Sequence, residues 1–173
     1  MDMINFKQKI GYVPLLILDD GHGSETAGKR TPAFPDGTVI RENQFNSAVV
    51  ALIEKDAIRL GFKTLLVAPE TSDTPLETRS SRANQAHSEY ASQLKAQGVN
   101  VNGKVVSVFV SIHYNALTGT WDSTAEGVET FHYPGSVQGQ RLANCIHKYV
   151  IQGTPQKNRG VKSANFHVLR ETA

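Results

Sequence analysis

Val13-Pro14-Leu15-Leu16-Ile17-Leu18-Asp19-Asp20-Gly21-His22-Gly23 is a short apolar run that stops on a polar, glycine-rich cluster. An unbroken apolar run of this length suits a strand buried on both faces, and the glycines suit a loop leaving its carboxyl end. Residues 105–112 repeat the design: Val105-Val106-Ser107-Val108-Phe109-Val110-Ser111-Ile112 is the strongest strand signal in the chain and ends in His113-Tyr114-Asn115. Residues 62–68 read as a further strand, and residues 127–133 alternate like another. Between these runs lie helical patterns. From Glu42 the apolar positions Phe45, Val49, Leu52, Ile53 and Leu60 follow helical spacing up to a stop at Gly61. Residues 69–75 form a turn-rich connection to a second helix carrying Leu76, Arg79, Ala83, Ala86 and Tyr90, and residues 137–151 resemble a third.

Strands alternating with helices imply an α/β domain with a largely parallel, twisted sheet and helices on both faces. Sites in such sheets sit beyond the carboxyl ends of the strands. His22 and His113 each follow a strand end, so parallel strands bring them to one edge of the sheet.

Composition sets wider bounds. At 173 residues, with 39% hydrophobic and 20% charged, the chain has the size and balance of one soluble domain, neither disordered nor fibrous. Eighteen Lys and Arg against 16 Asp and Glu leave a net charge of +2, too weak a bias for a nucleic-acid partner but compatible with an anionic wall polymer. The single Cys145 excludes an internal disulfide and a cysteine zinc cluster, and its setting reads as a buried helix face. No window approaches a membrane span, and residues 1–10 lack the apolar core of a signal peptide. A monomer that does not insert into membranes is expected, working after release by other means or after loss of a leader.

A zinc hydrolase needs three protein ligands and an open position for water, and two histidines with one carboxylate are a recognised set. His22 and His113 are the natural histidines. Glu42 is the natural carboxylate, because a strand-loop-helix path can return its side chain to the end of the first strand. Gly21 and Gly23 flank His22 and permit a sharp turn, while Asn115 is placed to steady a ligand or bind a substrate amide. Simpler readings stand beside these. A loop histidine can cap its own turn, a strand-end histidine can be only hydrogen-bonded, and Glu42 suits a helix N-terminus on electrostatic grounds alone.

Six segments together resemble the zinc-dependent N-acetylmuramoyl-L-alanine amidases of bacterial wall remodelling and phage lysis. They are Leu18-Asp19-Asp20-Gly21-His22-Gly23, Arg41-Glu42-Asn43, Leu76-Glu77-Thr78-Arg79 with Ala83-Asn84, Val110-Ser111-Ile112-His113-Tyr114-Asn115, Gly127-Val128-Glu129 and Asn158-Arg159-Gly160-Val161-Lys162. They occur in the family's order, and residues 166–172 continue the pattern. The resemblance implies an α/β/α sandwich, Zn2+ held by His22, Glu42 and His113, and hydrolysis of the amide between N-acetylmuramic acid and L-alanine in peptidoglycan, at the cell wall or in the periplasm. Asp20 stands where the family usually has proline. The family's catalytic glutamate follows the Leu169-Arg170-Glu171-Thr172 region, and Glu171 matches a non-catalytic position, so the general base is unassigned. The chain is therefore expected to be one amidase domain, residues 1–173, truncated at its C-terminal end, that binds zinc and turns over poorly.

Among the remaining histidines, His87 and His147 fall in helical patterns and are expected to face solvent, while His132 and His167 fall in strand-like segments. None matches a family ligand. Arg79 suits a structural ion pair. Trp121, Tyr114 and Tyr133 have faces suited to sugar rings, although aromatics also serve as packing. Two rival functions are weighed: a zinc peptidase acting on the stem peptide, which lacks its usual His-Glu-x-x-His helix, and a non-catalytic wall-binding module on the same fold.

Overall fold

The computed structural model describes residues 10–115, 120–121 and 126–172. Residues 1–9, read above as lacking a leader, and Ala173, where the expected truncation falls, lie outside the described residues. Two compact units are formed, Met1–Gly119 with Thr172–Ala173, and Thr120–Glu171.

In the first unit β1 (Leu15–Asp19) is the middle strand of a parallel sheet, with β2 (Thr64–Leu66) on one side and β3 (Ser107–Ser111) on the other. A middle strand is covered on both faces, which is why its sequence is an apolar run and not an alternation. Helix α1 (Glu42–Arg59) joins β1 to β2, and α2 (Leu76–Ala96) joins β2 to β3, supplying the crossovers that parallel strands need. By the two-residue period of a strand, Leu15, Ile17 and Asp19 share one face and Leu16 and Leu18 the other. On the first face Leu15 and Ile17 are buried in one cluster with Ala83, Tyr90 and Leu94 of α2. The Tyr90 hydroxyl donates to the Val13 carbonyl at 2.8 Å, so the ring is buried without stranding its polar tip. Leu18, on the second face, has no exposed surface, and α1 packs against β1 and β2 with Val50 and Ala57 buried. Helix, parallel sheet and helix form the layers expected of the α/β class.

The rotation of α1 differs from its predicted one. Its buried stripe is Glu42, Asn46, Val50 and Ala57, whereas Phe45 is 43% and Leu52 66% exposed. Both stripes have helical spacing, and a one-residue offset turns a helix by about 100°. Apolar content favours the predicted stripe; burial of the Glu42 carboxylate at the sheet edge selects the observed one.

The second unit is a β-α-β motif. Strand β4 (Val128–His132) pairs in parallel with β5 (Asn158–Ser163), and α3 (Val137–Gln152) between them packs against both. Ser136 caps α3 by accepting from the Gly139 N–H at 3.0 Å. Three expectations change here. Cys145 is exposed, because the buried positions of α3 are Ala143 and His147. His147 is inside the unit, bonded to Thr130 Oγ1 at 3.0 Å and Asn158 Oδ1 at 2.8 Å, which satisfies both ring nitrogens. His167 opens a short helix, α4 (His167–Glu171), and β5 was not anticipated as a strand because Asn158-Arg159-Gly160 has neither apolar run nor alternation. Among the described residues no helix is long and apolar enough to cross a membrane.

Candidate metal centre

The loop after β1 is folded back on itself before α1 begins. Arg30 and Arg41 form an antiparallel bridge, the Thr31 N–H donates to Ile40 at 2.9 Å, and the Glu42 N–H donates to Lys29 at 2.9 Å. At the start of α1 the Gln44 side chain accepts from the Arg41 N–H at 3.0 Å, and the Asn43 amide donates to the His22 carbonyl at 3.0 Å. These bonds return the first turn of α1 to the loop that carries His22. Pairing of β3 with β1, in register from Leu15 opposite Ser107 to Asp19 opposite Ser111, delivers His113 to the same edge.

Gly21 makes this convergence possible. Its φ is +60°, a left-handed conformation, and a Cβ there would lie 2.6 Å from His113 Cε1 and 3.0 Å from the Asn46 amide nitrogen. Any side chain would occupy the space that the His113 ring fills.

His22, Glu42 and His113 meet, with one ligand-type atom from each all within 4.8 Å of one another. Glu42 Oε1 lies 3.0 Å from His113 Nδ1 and 3.6 Å from His22 Nε2, and the two imidazole rings stand edge to face with centroids 5.0 Å apart. Glu42 is fully buried, while His22 is partly and His113 more openly exposed, so the group is closed behind and open in front. Burial pushes the Glu42 carboxyl up, but the His113 hydrogen bond, both imidazoles and the Asn115 backbone N–H outweigh it and hold the group below the ordinary glutamate range. Burial is the main reason the His22 imidazole lies below its ordinary value. Both shifts favour the forms that bind a cation, an ionised carboxylate and a neutral imidazole.

Whether these residues fit a metal is answered by their unpaired atoms. Among the described residues, the buried side-chain polar atoms without a partner are Asp20 Oδ1, Glu42 Oε2 and both amide atoms of Asn46. A buried unsatisfied oxygen costs about 1–3 kcal/mol, and more if charged, so the second Glu42 oxygen is a strong reason for a cation to be held here. Two imidazole nitrogens and a carboxylate are the donor set of a divalent transition-type ion with room for exchangeable ligands.

Residues 16–173 match the N-acetylmuramoyl-L-alanine amidase family (Amidase_3). The chain belongs to that family. N-acetylmuramoyl-L-alanine amidase CwlM of Bacillus licheniformis is 28% identical over 161 residues, covering 91% of this chain and 52% of that protein. The sporulation-specific N-acetylmuramoyl-L-alanine amidase of Bacillus subtilis (strain 168) is 26% identical, with 91% and 51% covered. This chain thus spans about half the length of the curated amidases it matches. Among solved structures, the catalytic domain of the amidase CwlV from Bacillus (Paenibacillus) polymyxa var. colistinus superposes with a TM-score of 0.64 at 25% identity, covering 93% of this chain and 75% of that one. An amidase from Clostridium difficile 630 shares the fold, with a TM-score of 0.66 at 24% identity and the same coverage.

Asn115 adopts a φ of 62° and directs its backbone N–H to Glu42, so its contact with the His22–Glu42–His113 cluster is through the main chain. Arg79 is buried in an ion pair with Asp19 and also donates to the Thr74 carbonyl at 2.7 Å. Tyr114 is 46% exposed and packs on Phe45 with ring centroids 4.9 Å apart. Trp121 is 61% exposed. His87 bonds to Ser107 at 2.8 Å and is half-buried rather than solvent-facing. Asp20 is buried beside Asp19, and burial first, then that neighbouring carboxylate, pushes it up to about 6. Two contributors were missed. Asn46 lies one turn after Glu42 on the same helix face, a signal the four-residue spacing carries. Ser111 bonds His113 Nε2 at 3.1 Å, two residues upstream of it.

Proposed function

We propose that this chain is the catalytic part of a peptidoglycan hydrolase that cleaves the amide between N-acetylmuramic acid and L-alanine, with zinc held by His22, Glu42 and His113. The observation that carries the reading is the convergence of two imidazoles on one fully buried glutamate whose second oxygen has no partner. Bound there, zinc supplies Lewis-acid stabilisation of the scissile carbonyl and a reactive water. The chain's own residues do the rest. Glu42, His22 and His113 would hold the ion, and Asn115 directs an N–H to the Glu42 carboxyl and offers its side chain to the substrate amide. Phe45 and Tyr114, exposed and packed on each other, follow Glu42 and His113 closely in the chain and are suited to the sugar face or the lactyl and alanyl methyls of a muropeptide. Its substrate places its action in the cell wall, in the manner of a wall-remodelling enzyme or an endolysin, and we propose that it acts as a monomer.

Zinc titration and release of free alanyl amino groups from purified sacculi test the reading together. Wild-type protein should bind one zinc ion and release the stem peptide slowly, since no residue is assigned as general base, while Glu42→Ala and His113→Ala lose zinc binding by at least about 100-fold. Equal zinc binding by wild type and both variants overturns the metal assignment. Cosedimentation with walls and zinc binding, without any release, identifies a wall-binding module instead.

A further inference from the structure

Ser111 Oγ lies 2.6 Å from Asp19 Oδ2 and 3.1 Å from His113 Nε2. Asp19 is buried, and its other oxygen accepts from the Arg79 guanidinium and from the Gly21 N–H. A carboxylate paired with a guanidinium only accepts hydrogen bonds. The single hydroxyl hydrogen of Ser111 therefore goes to Asp19. That leaves Ser111 with lone pairs alone to offer the imidazole, so the hydrogen between them belongs to His113 Nε2.

We infer that Ser111, oriented by Asp19 and Arg79, is a positioning residue that holds His113 with its hydrogen on Nε2 and presents the bare Nδ1 beside Glu42 as the metal-binding nitrogen. Nδ1 stands 3.0 Å from Glu42 Oε1, where a hydrogen bridges the two atoms in the metal-free site, and a bound cation takes that hydrogen's place against both while Ser111 keeps the other hydrogen on Nε2. The strand register makes the relay rigid, because Asp19 and Ser111 are direct partners across β1 and β3 and share the face covered by α2, which carries Arg79. Partners that hold the second nitrogen of a ligating histidine fix its tautomer and orientation, and losing one costs about 10–100-fold in metal affinity.

This inference rests on the metal reading above, and one experiment separates the two. Long-range proton–nitrogen correlation spectra of the 15N-labelled full chain, with and without zinc, report which His113 nitrogen carries hydrogen. Zinc affinity is measured in parallel by competition with a chromophoric chelator. The expected result is hydrogen on Nε2 in the zinc-loaded wild type, a loss of about 10–100-fold in zinc affinity for Ser111→Ala, and retained affinity for Ser111→Thr. Hydrogen on Nδ1 in the zinc-loaded wild type overturns the inference even if Ser111→Ala fails to fold. Unchanged affinity in a folded Ser111→Ala overturns the relay and leaves the metal reading standing, whereas no zinc binding by the wild type removes both.

Discussion

Gly21 sits between the two strand-end groups and has no freedom to change. Its φ of +60° disfavours any residue with a Cβ, and that Cβ would press on His113 Cε1 at 2.6 Å. A left-handed conformation costs an ordinary residue about 1–2 kcal/mol before any steric term. Gly21→Ala is expected to lose at least about 2 kcal/mol in urea unfolding and to weaken zinc binding, since relief of the clash moves the ring that offers Nδ1. Gly28 also has a positive φ, but its Cβ position is open, so Gly28→Ala should affect stability alone and leave zinc affinity untouched. The requirement for glycine at 21 was readable from the Gly-His-Gly string; what it makes room for was not, because His113 is remote in sequence.

Helix α1 shows how an element is oriented by something other than its apolar content. Its two ends are set by local chemistry, Gln44 bonding the Arg41 N–H and Gly61 closing the last turn through the Ile58 carbonyl. Its rotation is set by Glu42, which must be buried at the sheet edge with Asn46 and Val50 in line behind it. Consequently Val50→Ala should cost about 2 kcal/mol, from two methyl groups at about 0.8 kcal/mol each and the cavity they leave. Leu52→Ser, at a site 66% exposed, should stay within about 0.5 kcal/mol of wild type. Thermal or urea unfolding of the two variants checks the rotation directly, and the reverse ranking would restore the predicted stripe.

Across the molecule, stability should respond to metal and to acid. If zinc binds the folded chain and not the unfolded one, zinc at about 100 times its Kd adds about 2.7 kcal/mol, seen as a rise in Tm that a chelator reverses. A Tm indifferent to zinc would argue against a preformed centre. The Glu70 carboxyl is held down at about 2 chiefly by its hydrogen bonds from Arg82, with Thr74 adding a smaller share. A carboxyl whose folded value is depressed contributes stability above its unfolded value of about 4.5, and loses that contribution as the pH falls toward 2. Wild type should therefore lose more stability than Glu70→Gln between about pH 5 and pH 3 in urea unfolding. The difference should shrink in high salt, because the pair is exposed.

The order of strands and helices up to residue 152, the parallel sheet and the strand-end positions of His22 and His113 were determined by the sequence alone. An apolar run ending in polar residues encodes a central strand through local solvation, and the alternation of elements then fixes parallel pairing. The candidate ligand set was legible too, through motifs of particular residues in a particular order. Only the tertiary structure decided which face of α1 is buried, that His147 lies inside and Cys145 outside, that Asn158–Ser163 is a strand, and that Ser111 links Asp19 to His113. Each of these depends on which distant groups become neighbours. Burial of a polar group is tolerable only with partners, and a one-dimensional pattern of apolar and polar residues does not contain the identity of a partner many residues away.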